Sequence, residues 1–253
     1  MSKIALITGA TAGIGEASAQ IFAENGFDLI ITGRREDRLL KISKALESDY
    51  QIKVKTLCFD VSDRLAVEKH LSALPEAWRK VDVLINNAGL SQGLDTFQDG
   101  AIDDWEVMID TNVKGLLYVS KIVSNWMISN KAGHIINLGS VAALEVYPKG
   151  NVYCATKHAV EALNKAMRID LLPHGIRVTG IHPGAVETEF SIVRFHGDKG
   201  KADKVYDGFE PLVARDIAET IWFAASRPKH VNISDVMIMP TSQASVAHHY
   251  KEL

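Results

Sequence analysis

The sequence predicts a doubly wound α/β domain, in which a parallel sheet carries helices on both faces. Short continuous apolar runs, such as residues 4–7 and 134–138, alternate with segments whose apolar residues have helical spacing. Strands that are apolar at every position suit a sheet buried on both faces, and their alternation with helices is typical of parallel strands. No linker rich in proline or serine divides the chain. We therefore expect a single domain over residues 1–253.

The elements follow one another in a regular order, and several of their ends carry a recognisable signal. Gly26 and Gly133 follow helical segments, and Pro173 with Gly175 ends another, as is common at helix C-termini. Seven strands are predicted, at residues 4–7, 27–32, 54–59, 81–85, 134–138, 177–181 and 236–239. Helices are predicted at residues 16–25, 36–48, 64–74, 103–130, 151–172 and 215–225.

The alternation breaks after the sixth strand. Residues 185–209 are polar, punctuated by glycine, and carry scattered aromatic side chains. A long irregular insertion in a compact domain is usually a binding loop, so we expect a substrate lid over 185–209. Residues 242–253 are expected to form a C-terminal tail.

Composition excludes several classes of partner. The chain has 28 basic and 31 acidic residues, a net charge of −3, which argues against a nucleic acid or an anionic membrane. No apolar stretch reaches the roughly 20 residues of a membrane span, and the first residues lack the pattern of a signal peptide. Cys58 and Cys154 are the only cysteines, and no Cys/His cluster has metal-ligand spacing. We expect a cytoplasmic protein with reduced thiols and no metal.

A glycine-rich turn follows the first predicted strand directly. Residues 8–15 read T-G-A-T-A-G-I-G and lead into a helix. Glycines at such a turn let the backbone approach a pyrophosphate, which then meets the positive N-terminus of the helix. This context predicts a Rossmann-like nucleotide site.

Two arginines at the end of the second strand indicate which nucleotide binds. In this fold an acid at that point selects NAD, but here Gly33 is followed by Arg34 and Arg35. Arginine suits phosphate, which favours the 2′-phosphate of NADP(H). The alternative is a solvated basic start of the next helix. Asp60, after the third strand, is placed to meet the adenine edge.

Tyr153 and Lys157 stand four residues apart on a predicted helix and so share one face. A lysine ammonium one turn away favours the phenolate, which would lower the tyrosine pKa from about 10 and make it an acid/base group. The alternative without a function is that Tyr153 is a half-buried ring and Lys157 a solvated amine. Asn112 lies inside a predicted helix, where it costs propensity, so it indicates either a function or a local kink. Asn86 and Asn87 could support the sheet, the cofactor or both.

The motifs together resemble the short-chain dehydrogenase/reductase family over essentially the whole chain. They are T-G-x-x-x-G-x-G at 8–15, N-N-A-G at 86–89, Asn112, Ser140, Y-x-x-x-K at 153–157 and P-G at 183–184. The resemblance implies an enzyme that moves a hydride between NADP(H) and a CH–OH or carbonyl carbon.

The same resemblance implies a role for each catalytic side chain. Tyr153 exchanges the proton with the substrate oxygen, and Ser140 holds that oxygen. Lys157 lowers the pKa of Tyr153 and binds the nicotinamide ribose, while Asn112 anchors a water that links Lys157 to solvent. Thr188 meets the nicotinamide carboxamide. With the arginines, the expected cofactor contacts are Gly9, Thr11, Gly13, Ile14, Gly15, Arg34, Arg35, Asp60, Val61, Asn87, Tyr153, Lys157, Pro183, Val186 and Thr188.

A narrower resemblance concerns the substrate. Segments 32–35, 108–112, 150–153, 189–191, 194–195 and 230–233 are similar to NADP-dependent 3-hydroxy acid dehydrogenases, a subgroup that includes serine and allo-threonine dehydrogenases. This implies a homotetramer and a β-hydroxy acid such as serine, allo-threonine or 3-hydroxypropionate, or the matching 3-oxo acid.

Such a substrate needs a partner for its carboxylate. Arg194, on the expected lid, is the candidate, because arginine binds carboxylates through two parallel hydrogen bonds. The alternative is a surface arginine on a mobile loop. Two other functions stay open: an NADPH-dependent reductase of other ketones or aldehydes, and a non-catalytic NADP-binding sensor. The sensor is disfavoured because all four catalytic side chains are present.

Overall fold

Seven parallel strands form one sheet in the computed structural model, which describes residues 2–251. The nine strands in chain order are β1 (Ile4–Ile7), β2 (Asp28–Gly33), β3 (Val54–Cys58), β4 (Val83–Asn86), β5 (Gly133–Leu138), β6 (Ile176–Pro183), β7 (Val186–Glu187), β8 (Leu212–Val213) and β9 (Asp235–Ile238). The large sheet has the order β3-β2-β1-β4-β5-β6-β9, and β7 pairs with β8 in a separate two-stranded sheet. The predicted fold class is confirmed.

Helices cover both faces of the sheet. They are α1 (Gly13–Glu24), α2 (Glu36–Tyr50), α3 (Arg64–Ser72), α4 (Ile102–Ile109), α5 (Leu116–Asn130), α6 (Asn151–Asp170), α7 (Phe190–Arg194), α8 (Lys199–Asp203) and α9 (Ala214–Ala225). Side chains of α1, α2 and α9 build the core on one face, and those of α3 and α5 build it on the other. The five central strands, β2, β1, β4, β5 and β6, are buried at nearly every position, which explains their continuous apolar sequences. The edge strands β3 and β9 are partly exposed.

The order of the strands in the sheet determines where a ligand site is expected. It reverses between β1 and β4, so the connections after these two strands leave in opposite directions. In open α/β sheets the crevice beyond the carboxyl ends of such strands binds the ligand.

Two predicted segments differ from the structure. The helical region 103–130 is interrupted by a π-helical turn at Asp110–Gly115. The stretch 185–209 is not irregular throughout, since it contains β7, α7 and α8. Helices α7 and α8 have five residues each, which is too short for a helical period to show in the sequence. Contacts with residues outside each helix hold them in place. Asp198, for example, accepts the first-turn N–H of Lys201 at 3.1 Å.

The predicted tail folds back on the domain as far as it is described, while Glu252 and Leu253 lie outside the described residues. Gln243 forms an antiparallel bridge with His249. Its buried side chain accepts a hydrogen bond from the N–H of Ala185 at 2.8 Å. Across residues 2–251, no helix is both long and apolar enough to cross a membrane.

Candidate active site

A cavity of about 530 Å³ lies at the carboxyl ends of the central strands. The glycine turn and Arg34 line one part of it, and Ser140, Tyr153 and Lys157 line another. All residues expected to bind the cofactor or the substrate line this cavity except Gly15. Asn112 is also absent from the wall, because it lies behind it.

The glycine turn forms a cradle that side chains would fill. Gly9 and Gly13 have φ values of +67° and +55°, which favour glycine. A Cβ at Gly15 would lie 2.4 Å from the carbonyl oxygen of Gly9, so Gly15 shapes the turn from beneath. Ala12, the N-cap residue of α1, has no polar side chain with which to cap the helix. The free N–H groups of the helix and the close backbone approach fit a dinucleotide pyrophosphate.

The two asparagines of the N-N-A-G motif have different contacts. Asn86 is buried in the sheet and donates to Ser120 Oγ and Asn137 Oδ1, both at 2.8 Å. Asn87 lines the cavity and donates to the carbonyl oxygens of Thr8 and Gly9 at 2.9 and 3.2 Å. Asn86 therefore serves the sheet, whereas Asn87 braces the glycine turn.

The two arginines flank the same end of the cavity. Arg35 donates to Thr11 Oγ1 from Nε and Nη2, at 3.1 and 2.8 Å. Arg34 pairs with Asp60 at 3.3 Å. Burial favours the neutral form of Asp60, but hydrogen bonds from Ser62 and the charge of Arg34 hold its pKa below the usual value. The side chains and their charges fit a phosphate group here.

Tyr153 and Lys157 lie on one face of α6, as predicted from their spacing, and both are buried. Burial raises the pKa of Tyr153, and the Arg194 guanidinium, followed by a hydrogen bond with Ser140, opposes that rise. In the protein alone the pKa of Tyr153 is thus raised rather than lowered, and the role of Lys157 in lowering it stays a prediction. The Lys157 ammonium lies 6.0 Å from the ring centroid and donates to the carbonyl oxygen of Leu138 at 2.8 Å.

Lys157 is itself perturbed by its position. Burial lowers its pKa to about 8, because a charged ammonium loses its hydration there. A Cβ at Gly89 would lie 3.6 Å from its Nζ and 3.2 Å from Asn112 Oδ1. A side chain at position 89 would therefore crowd the asparagine and lie against the lysine.

The structure confirms the local kink at Asn112, while its function stays a prediction. It sits in the π-helical turn, and its amide exchanges two hydrogen bonds of 2.8 Å with the backbone of Leu90. It also donates to Thr156 Oγ1 at 3.1 Å. A widened turn of this kind is common at functional sites. Here it joins the loop after β4 to α6.

Arg194 is held against the tyrosine. Its guanidinium carbon lies 5.3 Å from the ring centroid of Tyr153 and 5.0 Å from that of Phe190. Nε donates to Ser91 Oγ at 3.1 Å and Nη2 to Tyr147 Oη at 3.0 Å. This half-buried arrangement differs from that of a surface arginine on a mobile loop.

Several residues of the site had no signal in the sequence. Ser91 and Tyr147, which orient Arg194, are two of them. Gln243 and other tail residues line the cavity. None belongs to a spaced motif, and folding brings them in from distant parts of the chain. Phe190, by contrast, lies in the segment 189–191 named above and packs edge-on against Tyr153 at 5.6 Å between centroids.

Glu161, His182 and Asp235 form a cluster with the composition of a metal site, although no metal was expected. His182 Nε2 lies 3.3 Å from Glu161 and 3.5 Å from Asp235. Lys165 already pairs with Glu161 at 2.8 Å, and Arg168 with Asp235 at 3.1 Å. Because each carboxylate has a cationic partner, the geometry is that of an ion-pair network between α6, β6 and β9.

Comparison with known proteins agrees with this geometry. Residues 3–198 match the family model described as short chain dehydrogenase. NADP-dependent 3-hydroxy acid dehydrogenase YdfG of Salmonella typhi is 47% identical over 242 residues, which cover 95% of this chain and 96% of that protein. Sulfoacetaldehyde reductase 2 of Chromohalobacter salexigens is 46% identical, with 96% of each chain covered. The closed form of serine dehydrogenase complexed with NADP+ superposes with a TM-score of 0.91 at 41% identity, covering 99% of this chain and 100% of that one.

Proposed function

We propose, since the chain belongs to the short-chain dehydrogenase family, that this oxidoreductase transfers a hydride between NADP(H) and a β-hydroxy acid or the matching 3-oxo acid. The family match, together with relatives that are NADP-dependent dehydrogenases, supports the reaction class. Serine, allo-threonine and 3-hydroxypropionate represent the substrate class. We also propose that the protein works in the cytoplasm.

NADP(H) is supported by the relatives and by the chain's own residues. When bound, the cofactor supplies or accepts the hydride. The glycine turn and α1 would hold its pyrophosphate, and Arg34 with Arg35 would hold the 2′-phosphate. Asp60 and Val61 would meet the adenine. Pro183, Val186 and Thr188 would flank the nicotinamide, with Lys157 at the ribose.

The proton is handled by the buried polar groups around Tyr153. Ser140 holds the substrate oxygen, and the Tyr153 hydroxyl donates or accepts the proton there. A raised pKa keeps Tyr153 protonated, which suits donation to a developing alkoxide. Asn112 would anchor a water that links Lys157 to solvent, as the family resemblance implies.

One observation carries the substrate class: the guanidinium of Arg194 faces the cavity beside the Tyr153 ring. A cation at one end and a proton donor close by suit a small molecule that carries an anion next to its reacting carbon. We propose that residues 185–209, which carry Arg194, act as the substrate lid. A sulfonate aldehyde is a second candidate, because one relative is named a sulfoacetaldehyde reductase and arginine also binds tetrahedral anions.

Arg194→Ala tests this assignment. A charge-assisted contact contributes about 1.5–3 kcal/mol, so kcat/KM for the best hydroxy acid with NADP+ should fall at least tenfold. The value for an uncharged secondary alcohol of similar size should change less than threefold. The absorbance of the reduced nicotinamide measures the rates on both substrates. The rate of sulfoacetaldehyde reduction by NADPH is measured in the same proteins.

Arg64→Ala is the matched control, because Arg64 is an exposed arginine on α3 and lies outside the cavity. It should leave both rates unchanged. Equal losses on the charged and uncharged substrates in Arg194→Ala would contradict the carboxylate role.

We further propose a homotetramer. Two separate faces expose large apolar side chains: α9 and β9 carry Phe223 and Met237, and α4 and α5 carry Ile102, Ile109 and Leu117. Exposed apolar surface of this extent usually marks an interface. Two such faces suit the two kinds of contact in a dimer of dimers.

A further inference from the structure

Glu189 is held by two arginines at once. Its Oε2 accepts a hydrogen bond from Arg35 Nη1 at 2.7 Å, and its Oε1 accepts one from Arg38 Nη1 at 2.8 Å. These bonds, from Arg35 first and then Arg38, hold the pKa of Glu189 below its usual value. The carboxylate is therefore charged at neutral pH and bridges the start of α2 to the lid.

The bridge lies at one end of α7, and Arg194 lies at the other. Glu189 directly precedes α7, and Arg194 is the last residue of that helix. At the Arg194 end, the guanidinium contacts Ser91 and Tyr147, and the backbone oxygen accepts the N–H of Gly93 at 3.0 Å. A five-residue helix has little stability of its own, so its position depends on these end contacts.

Between its two anchors the segment crosses the glycine turn. A Cβ at Gly13 would lie 3.2 Å from Thr188 Cγ2. Thr188 therefore packs on the turn at which we place the pyrophosphate. The lid spans the cofactor groove from the arginine pair to the substrate end.

The two arginines of the bridge differ in their access to the cavity. Arg35 lines the cavity and also contacts Thr11, whereas Arg38 is not part of the wall. Arg35 would thus contact both the 2′-phosphate and Glu189, whereas Arg38 contacts Glu189 from outside the cavity wall. Single ion pairs as exposed as these contribute little to stability. A carboxylate bound by two guanidinium groups holds more firmly than either pair alone.

We infer that Glu189 is a positioning residue that ties the lid to the 2′-phosphate arginines and so sets the place of Arg194 over Tyr153. Recognition of the cofactor phosphate and of the substrate anion are then coupled through one short helix. This inference rests on the proposed function for the identity of both anions. The bridge itself is independent of that identity.

Glu189→Gln tests the inference with three measurements. Cleavage of the lid after Lys199, Lys201 and Lys204 by a lysine-specific protease should speed up at least fivefold, since the helix loses one anchor. KM for the hydroxy acid should rise about three- to tenfold with kcat within twofold, because Arg194 is displaced while Tyr153 is untouched. The NADPH dissociation constant, measured by fluorescence, should stay the same or fall, because an acid leaves the neighbourhood of the phosphate.

Glu187→Gln is the matched control, because Glu187 is an exposed acid two residues away. It should change none of the three values. If Glu189→Gln leaves cleavage and KM unchanged, or weakens NADPH binding while KM stays the same, the inference is overturned.

A charge exchange separates electrostatics from packing. Arg38→Glu and Glu189→Arg should each loosen the lid in the cleavage assay. The double variant should recover at least half of the protection, because the pair is restored with its charges reversed. No recovery would overturn the bridge.

The cleavage assay also keeps the two proposals apart, because it needs no substrate. A wild type that oxidises no hydroxy acid, with a lid that still loosens in Glu189→Gln, supports the bridge and refutes the proposed substrate. A wild type that oxidises hydroxy acids, with a lid that Glu189→Gln leaves intact, refutes the bridge alone.

Discussion

Burial shifts the pKa values of Tyr153 and Lys157 in opposite directions. It raises that of the tyrosine and lowers that of the lysine to about 8, because in each case the charged form loses hydration. Near neutral pH the tyrosine keeps its proton. The lysine keeps a charge that the surrounding protein disfavours. The protein therefore keeps an unfavourable buried charge on Lys157, in the site where we propose that the reaction takes place.

Lys157→Met should therefore stabilise the fold at neutral pH. The lowered pKa corresponds to a penalty of about 3 kcal/mol on the charged lysine, and the lost bond to Leu138 offsets part of it. We expect a gain of about 1–2 kcal/mol in the free energy of unfolding at pH 7, from urea titration. The variant should have little activity.

The pH dependence of that gain has a definite sign. Below pH 8 the lysine is charged in both states, so the whole penalty is present. Between pH 8 and about 10.5 the unfolded chain binds more protons than the folded one, and wild-type stability rises relative to the variant. The gain should therefore shrink from pH 7 to pH 10. Lys121→Met, an exposed lysine on α5, should show neither effect, and a gain that grows with pH would contradict the argument.

At the scale of elements, the π-helical turn does what a regular helix could not. It places the amide of Asn112 where both backbone groups of Leu90 and the hydroxyl of Thr156 reach it. One side chain thereby fixes the loop that carries Gly89 against the helix that carries Lys157. The same turn interrupts the helix predicted at residues 103–130, so the loss of propensity at Asn112 was a true signal of local geometry.

Asn112→Ala should cost about 2–4 kcal/mol in the free energy of unfolding. The reason is that a buried N–H and a buried carbonyl of Leu90 lose their partner, at roughly 1–3 kcal/mol each. Chemical denaturation measures the loss. Asn130→Ala, an exposed asparagine at the end of α5, should change stability by less than about 0.5 kcal/mol. Similar values for both variants would show that the bonds to Leu90 add no stability.

At the scale of the whole molecule, β9 ends the sheet and lies beside α9. Met237 on β9 is 55% exposed and Phe223 on α9 is 48% exposed. An uncovered edge strand with apolar neighbours is normally protected. A second copy of the chain on this face would protect it.

Met237→Glu should therefore break one of the two proposed contacts. Light scattering on a gel-filtration column should show the mass fall from four chains to two, because a buried unpaired charge opposes association. Leu65→Glu, which is 66% exposed on α3, should leave the mass unchanged. An unaltered tetramer in Met237→Glu would remove β9 from the interface.

Local geometry explains what the sequence by itself determined. Strand periods, the glycine turn and the shared face of Tyr153 and Lys157 each depend on residues a few positions apart, whose relation the backbone dictates. The fold class and the motif residues could be predicted on that basis. Only the tertiary structure decided which distant side chains meet. Glu189 reaches Arg35 across 154 positions, and Arg194 reaches Ser91 across 103. Packing of residues 185–209 against the sheet sets these contacts, and with them the position of Arg194 beside the Tyr153 ring.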